Sequence, residues 1–165
     1  MPEKGPETKP ALARVDHVGI ACRDLAGKIA FYQDVFGLVV VSRETNEEQG
    51  IREAMLGFPL ASPAAPSYVQ LLEPLGPDTP VGRFIARRGE GLHHVGYAVR
   101  DIAAALASVG GAGVKLIDER PRHGAMGAAI AFLHPADIGG VLTELVQPLQ
   151  APDSPPPGGG SQPGS

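Results

Sequence analysis

Two stretches of the chain alternate small or polar residues with branched apolar ones. In the first, His17, Gly19 and Ala21 share one parity and Val18, Ile20 and Cys22 the other; in the second, His94, Gly96 and Ala98 oppose Val95, Tyr97 and Val99. Period-two alternation predicts a β-strand in each. Asp24 and Asp101 follow, where a helix N-cap belongs. Behind them come Leu25, Ile29, Tyr32 and Phe36 near helical spacing, closed by Gly37, and the Ala-rich run IAAALASV, closed by Gly110 and Gly111. Strand-like runs continue at 38–43, 50–56 and 68–73 after the first helix, and at 114–118, 128–134 and 140–147 after the second. Thr79 and Pro80 read as the cap and first-turn proline of a short linker helix reaching Arg88, and the Pro- and Ala-rich stretch 59–66 reads as a surface loop.

The two halves are copies. DHVGIACRDL at 16–25 and HHVGYAVRDI at 93–102 agree at six of ten positions, and YVQLLEP at 68–74 is echoed by LTELVQP at 142–148. Two echoes in the same order at nearly one offset mark a duplication. The expected fold class is therefore α+β: two tandem βαβββ modules, about 15–75 and 91–148, forming a curved mixed sheet around a metal-binding cleft. The helix at about 79–88 joins them within one domain, 14–148. Residues 1–13 and 149–165 are rich in Pro, Gly and polar residues without periodicity, and are expected to be disordered tails.

Composition narrows the function. Among 165 residues 43% are hydrophobic, enough for a core, while Gly and Pro number 22 and 17, too many for a long helical bundle. A net charge of −4 argues against a nucleic-acid partner. No run of 18 apolar residues suits a membrane span, and no apolar signal core opens the chain. A lone Cys22 excludes an internal disulfide. The expectation is a cytoplasmic protein.

Candidate chemistry comes from the duplication. The face of the first strand bearing His17 continues with Gly19 and Ala21, and its copy bearing His94 continues with Gly96 and Ala98; small residues beside an inward His leave room for a cavity. Gln70 and Glu144 are repeat-equivalent polar residues in otherwise apolar strands, where burial is costly unless they are paired or coordinated. Two modules packed about a pseudo-twofold axis bring His17, Gln70, His94 and Glu144 to one point. Two imidazoles, a carboxylate and an amide oxygen suit a divalent metal with open positions. His93 is out of phase with His94 and matches Asp16 in the repeat, so it is expected not to be a ligand. His123 and His134 are expected in turns or behind the ligands. Lys115, Arg120 and Arg122 form one cationic cluster, and Arg83, Arg87 and Arg88 a second.

At these residues the chain resembles the vicinal oxygen chelate superfamily and, within it, the methylmalonyl-CoA epimerases. The matching segments are DHVGIA (16–21), FYQDVFGL (31–38), NEEQGIREAMLG (46–57), YVQLLEPL (68–75), GEGLHHVGYAV (89–99), PRHGAMG (121–127), IAFLHP (130–135) and GGVLTELVQ (139–147). The resemblance implies that His17, Gln70, His94 and Glu144 hold the metal, cobalt(II) foremost, with manganese(II) or another divalent ion as alternatives. It implies that Glu53 is the catalytic carboxylate, that methylmalonyl-CoA is the substrate and that the enzyme is a homodimer. The implied reaction removes and returns the C2 proton through a metal-stabilised enolate. One carboxylate and three neutral ligands leave the site a formal +1, which favours an anionic chelating substrate. Ile51, Glu53 and Met55 share one strand face, so Glu53 enters an apolar cavity where its pKa rises. Glu144 is the candidate for the opposite side of the enolate. CoA phosphates call for cations, which the two basic clusters offer. After His134 and Pro135 the family often carries Lys, whereas this chain has Ala136, so any contact from that Lys is missing here. Rival readings of the same fold are a glyoxalase I acting on a glutathione hemithioacetal, an extradiol dioxygenase and a non-catalytic resistance protein that binds small molecules. Gln70 in place of an acidic ligand speaks against the first, a fourth protein ligand against the second and the full ligand set against the third.

Overall fold

A computed structural model describes residues 9–149. The first module runs β1 (Leu12–Ala21), α1 (Leu25–Phe36), β2 (Val39–Asn46), β3 (Ile51–Gly57) and β4 (Tyr68–Pro74). The linker helix α2 (Pro80–Arg88) leads to β5 (Gly91–Val99), α3 (Ile102–Gly111), β6 (Arg122–His123), β7 (Ala129–Leu133) and β8 (Thr143–Gln147). All eight strands form one curled half-barrel sheet in the order β2-β3-β4-β1-β5-β8-β7-β6. β1 and β5 run antiparallel at its centre; each is flanked by the parallel last strand of its own module, β4 or β8. The duplication is thus written into the topology as two halves related by a pseudo-twofold axis, and the expected α+β architecture of two βαβββ modules is what the chain adopts.

The caps form as the sequence predicts. Asp24 accepts a hydrogen bond from the Gly27 N–H at 3.1 Å, Asp101 from Ala104 at 3.0 Å, and Thr79 from Gly82 at 3.1 Å ahead of Pro80. Gly37 closes α1 with φ +69°, a left-handed conformation that glycine adopts without a Cβ clash. Leu25 and Ile29 bury against Ala54, Leu56, Val69 and Leu71, while Ile102, Leu106 and Val109 bury against Ala131, Leu133 and Leu145. One helix therefore covers the same sheet face in each half and leaves the opposite face, with Gln70 and Glu144, to line the concavity. α2 plugs one end of it, packing Val81 and Ile85 on Ala21, Ile51 and Leu72.

Four local expectations need correction. The run 114–118 is not a strand: only Leu116 bridges, to Leu133, and the outermost pairing falls to Arg122–His123 against Ala129 and Ile130. The connection after α3 wraps past the edge of β7 instead of laying down a full strand. Phe36 keeps helical spacing yet is 62% exposed, because the buried stripe of α1 ends at Ile29 and Phe36 stacks with Phe31 and Tyr32 instead. β1 starts at Leu12, inside the stretch read as tail, because Leu12 pairs with Val99. At the other end Leu149 lines a cavity of about 470 Å³ that also holds His17 and Glu144. The remainder of both expected tails, 1–8 and 150–165, lies outside the described residues.

Candidate metal centre

His17, Gln70, His94 and Glu144 stand on β1, β4, β5 and β8, which are the four adjacent central strands. All four are buried. The imidazoles meet edge to face, with His17 Nε2 and His94 Nε2 2.9 Å apart. Each of these nitrogens lies 3.5 Å from a different oxygen of Glu144. One ligand atom from each of the three residues falls within 4.8 Å of the others.

The small residues explain why the rings fit. His17 pairs across the sheet with Gly96, and His94 with Gly19. A Cβ on Gly96 would lie 2.3 Å from His17 Cε1, and one on Gly19 2.2 Å from His94 Cε1. Each imidazole therefore lies over the glycine of the other module, and the site exists only where both modules meet.

Gln70 and Glu53 form the neighbouring wall. The Gln70 Nε2 donates a hydrogen bond to Glu53 Oε2, and both Gln70 Oε1 and Glu53 Oε1 are buried without a hydrogen-bond partner. The orphaned amide oxygen is available as a neutral ligand. Two facing imidazole nitrogens, a carboxylate and an unpartnered amide oxygen are the donor set a borderline-to-hard divalent cation takes. The residues therefore fit a metal ion.

Electrostatics follow from burial. Desolvation raises the Glu144 pKa to about 7 against the opposing pull of His17. Desolvation likewise raises Glu53, opposed by the Gln70 hydrogen bond and assisted by Glu44. Burial pulls His17 down, but the hydrogen bond to Asp16 and the Glu144 charge outweigh it, so His17 is raised overall. His94 is driven well down by burial and then by the charges of His17 and His93.

A cavity of about 470 Å³ is lined by His17, Gln70 and Glu144 and by apolar groups such as Met55, Met126, Ile130 and Val146. Glu53 does not line it, contrary to the expectation that this side chain enters the cavity: it is 2% exposed and its carboxylate is engaged by Gln70. A second cavity, of about 630 Å³, reaches His93 and His94 from the α2 end.

The model of the Glyoxalase/Bleomycin resistance protein/Dioxygenase superfamily matches residues 16–132. A Streptomyces coelicolor methylmalonyl-CoA epimerase variant solved with 2-nitronate-propionyl-CoA is 45% identical with a TM-score of 0.83, over 87% of this chain and all of that one. A methylmalonyl-CoA epimerase solved with methylmalonyl-CoA and NH4+ is 47% identical with a TM-score of 0.83, over 88% and 100% of the two chains. The ethylmalonyl-CoA/methylmalonyl-CoA epimerase of Cereibacter sphaeroides is 33% identical over 82% of this chain and 98% of its own. The chain belongs to the methylmalonyl-CoA epimerase family.

Arg83, Arg87 and Arg88 line the second cavity. Arg122 pairs with Asp118 at 3.1 Å and lies over the Phe132 ring, and neither cavity is lined by it, Lys115 or Arg120. His134 caps the turn at Ala136, and His123 offers its carbonyl to Asn46 and Gln49.

Those last bonds show what the NEEQ segment does, which its spelling alone did not reveal. Asn46 and Gln49 clasp His123 at 3.3 Å each, and Glu44 accepts the Met126 N–H at 3.0 Å, so the two outer edges of the half-barrel are joined across the cavity that His17 and Glu144 line. Met126 adopts φ +54°, strained for a non-glycine residue, beneath this clasp. Sequence reading missed Glu44, which sits directly across the β2–β3 pair from Glu53. The spacing of two glutamates across a predicted hairpin was the available signal.

Proposed function

We propose that this protein interconverts the (2R) and (2S) epimers of methylmalonyl-CoA, with His17, Gln70, His94 and Glu144 holding a divalent metal and Glu53 and Glu144 handling the proton. The observation that carries this reading is a buried His–His–Glu cluster that shares one cavity with Gln70, whose amide holds a second buried carboxyl, Glu53. When bound, a divalent cation supplies Lewis-acid stabilisation of the negative charge that develops on the thioester oxygen.

The protein's own groups do the rest. Epimerisation needs one group to take the C2 proton and another to return it from the other side. Glu53 on β3 and Glu144 on β8 are carboxyls from different modules, and burial raises both above the ordinary carboxylate range, Glu144 to about 7. The Gln70 N–H fixes the Glu53 carboxyl by binding one oxygen and leaves the other free for the proton. Apolar walls from Met55, Ile130 and Val146 exclude water beside the reacting carbon.

Cobalt(II), with manganese(II) as alternative, is the metal proposed, and the cytoplasm the compartment. No helix among the described residues is long and apolar enough to cross a membrane. A homodimer is supported by exposed apolar residues at the end of α1 and start of β2, Phe31, Val35, Phe36, Val39 and Val41, which a second copy would cover.

The test is to incubate metal-loaded protein with one epimer and follow the other by a stereospecific coupled assay, alongside the methylglyoxal–glutathione hemithioacetal. Interconversion of the thioester epimers alone is expected. Turnover of the hemithioacetal without epimerisation would place the protein with the glyoxalases.

A further inference from the structure

The central strand pair contains three irregularities, and two of them, after the one between Leu12 and Arg14, stand at repeat-equivalent positions. Val15 pairs with Tyr97 and His17 with Gly96, so Asp16 is an extra residue on β1; Gly19 pairs with His94 and Ile20 with Leu92, so His93 is an extra residue on β5. Strict alternation would turn Asp16 and His93 away from the histidines that follow them. A bulge instead lets two successive residues project to one side and re-aims a side chain. The result is visible in the cavities: Asp16 and His17 line the same one, and His93 and His94 line the other.

Each extra residue reaches the ring nitrogen that its neighbour turns away from the centre. Asp16 Oδ2 lies 2.8 Å from His17 Nδ1, and His93 Nδ1 lies 2.8 Å from His94 Nδ1. A carboxylate only accepts, so His17 donates through Nδ1–H and its Nε2 carries the lone pair facing Glu144 and His94. For His94 the same outcome requires that His93 Nδ1 act as acceptor. The two holders are themselves anchored differently. Arg14 donates to Asp16 Oδ1 at 3.2 Å and to the Pro66 carbonyl at 2.7 Å, whereas His93 packs edge-on to Phe84 of α2 with ring centroids 4.9 Å apart.

We infer that Asp16 and His93 are twin positioning residues, placed by symmetric β-bulges to fix His17 and His94 with Nε2 unprotonated and aimed at the metal. The inference rests on the proposed metal centre but concerns its supporting shell. It explains why the duplicated motif opens with two polar residues, DH in one copy and HH in the other, although alternation places only the second in the cavity. It also makes the duplicated support asymmetric. One ligand is held by an anion tied to the β3–β4 loop, the other by a neutral ring tied to the linker helix.

The experiment measures manganese(II) and cobalt(II) affinity by calorimetry for the full chain and for Asp16→Ala, His93→Ala and His93→Asn. It adds ¹⁵N–¹H NMR of the histidine rings in metal-free wild-type protein above pH 8. Loss of such outer partners typically weakens metal affinity about 10- to 100-fold. Both Ala variants are expected to fall in that range with thermal unfolding preserved, and His93→Asn, which keeps an acceptor, is expected to recover most of the loss. The NMR is expected to show His17 and His94 protonated on Nδ1, whether or not a variant folds. Wild-type affinity in both Ala variants, or a His17 or His94 ring without a proton on Nδ1 in the metal-free protein, overturns the inference. Absence of metal binding by the wild type would instead overturn the metal centre, and the ring protonation would still decide the positioning roles.

Discussion

Adding one methyl group at Gly96 tests the cross-module site directly. In Gly96→Ala the new Cβ lies 2.3 Å from His17 Cε1, 2.7 Å from Nδ1 and 2.8 Å from Nε2, whereas ordinary contact begins at 3.4 Å. The ring must move by about 1 Å to relieve this overlap. It has no slack, because Asp16 holds Nδ1 at 2.8 Å and Nε2 already faces His94 at 2.9 Å. Overpacking of this kind typically costs about 1–3 kcal/mol of stability. A displacement near 1 Å in a positioned group costs on the order of 100-fold in rate. Gly19→Ala repeats the perturbation against His94, with 2.2 Å to Cε1. Gly111→Ala on α3, where nothing lies within 4 Å, is the control. At the last residue of α3 it should change stability by no more than about 0.5 kcal/mol and leave metal binding untouched. Thermal unfolding and the epimerisation rate of the three variants read the two effects, and manganese(II) titration reads the placement of the ligands. If Gly96→Ala bound metal within about threefold of wild type at an unchanged melting temperature, the placement of His17 over Gly96 would be refuted.

Three further outcomes are expected. Glu53→Gln should lower the epimerisation rate about 100- to 10,000-fold while metal content and fold persist; full activity would remove Glu53 from the mechanism, and metal loss would move it into the ligand set. Gln70→Glu should retain the metal but weaken methylmalonyl-CoA binding, because a second carboxylate cancels the formal positive charge of the site; unchanged substrate affinity in a binding titration would contradict the charge argument. Cys22, whose thiol is pushed up to about 11 by burial and then by Glu73 and Glu90, should stay protonated at pH 8 and react with iodoacetamide only after unfolding; rapid labelling of the native protein would show the thiol is reachable.

How much of this could be read from the chain depends on what sets each feature. The strand parity of DHVGIA and HHVGYA, the Asp24, Thr79 and Asp101 caps and the Gly37 stop are local rules, and each element formed as read. The site was legible because the duplication supplied a second copy: His17 with His94 and Gln70 with Glu144 define each other's positions about the axis. The bulges were not legible. A period-two reading assumes unbroken alternation, whereas the extra residue at Asp16 or His93 is defined only against the partner strand. That assumption set His93 aside as out of phase. The run at 114–118 failed for a related reason: apolar alternation signals a strand, but whether a neighbouring edge receives it depends on how the connection after α3 returns. The clasp from Asn46 and Gln49 to His123 spans more than 70 residues and carries no local signature.

The central claim is that one metal ion is held across the duplication. Crystals of the protein loaded with cobalt(II), with diffraction data collected on both sides of the cobalt absorption edge, locate the ion without reference to any assumed ligand. A single anomalous peak is predicted, with His17 Nε2, Gln70 Oε1, His94 Nε2 and a Glu144 oxygen at roughly 2.0–2.3 Å. A peak away from His17 and His94, or an active protein with no ion between them, would contradict the account.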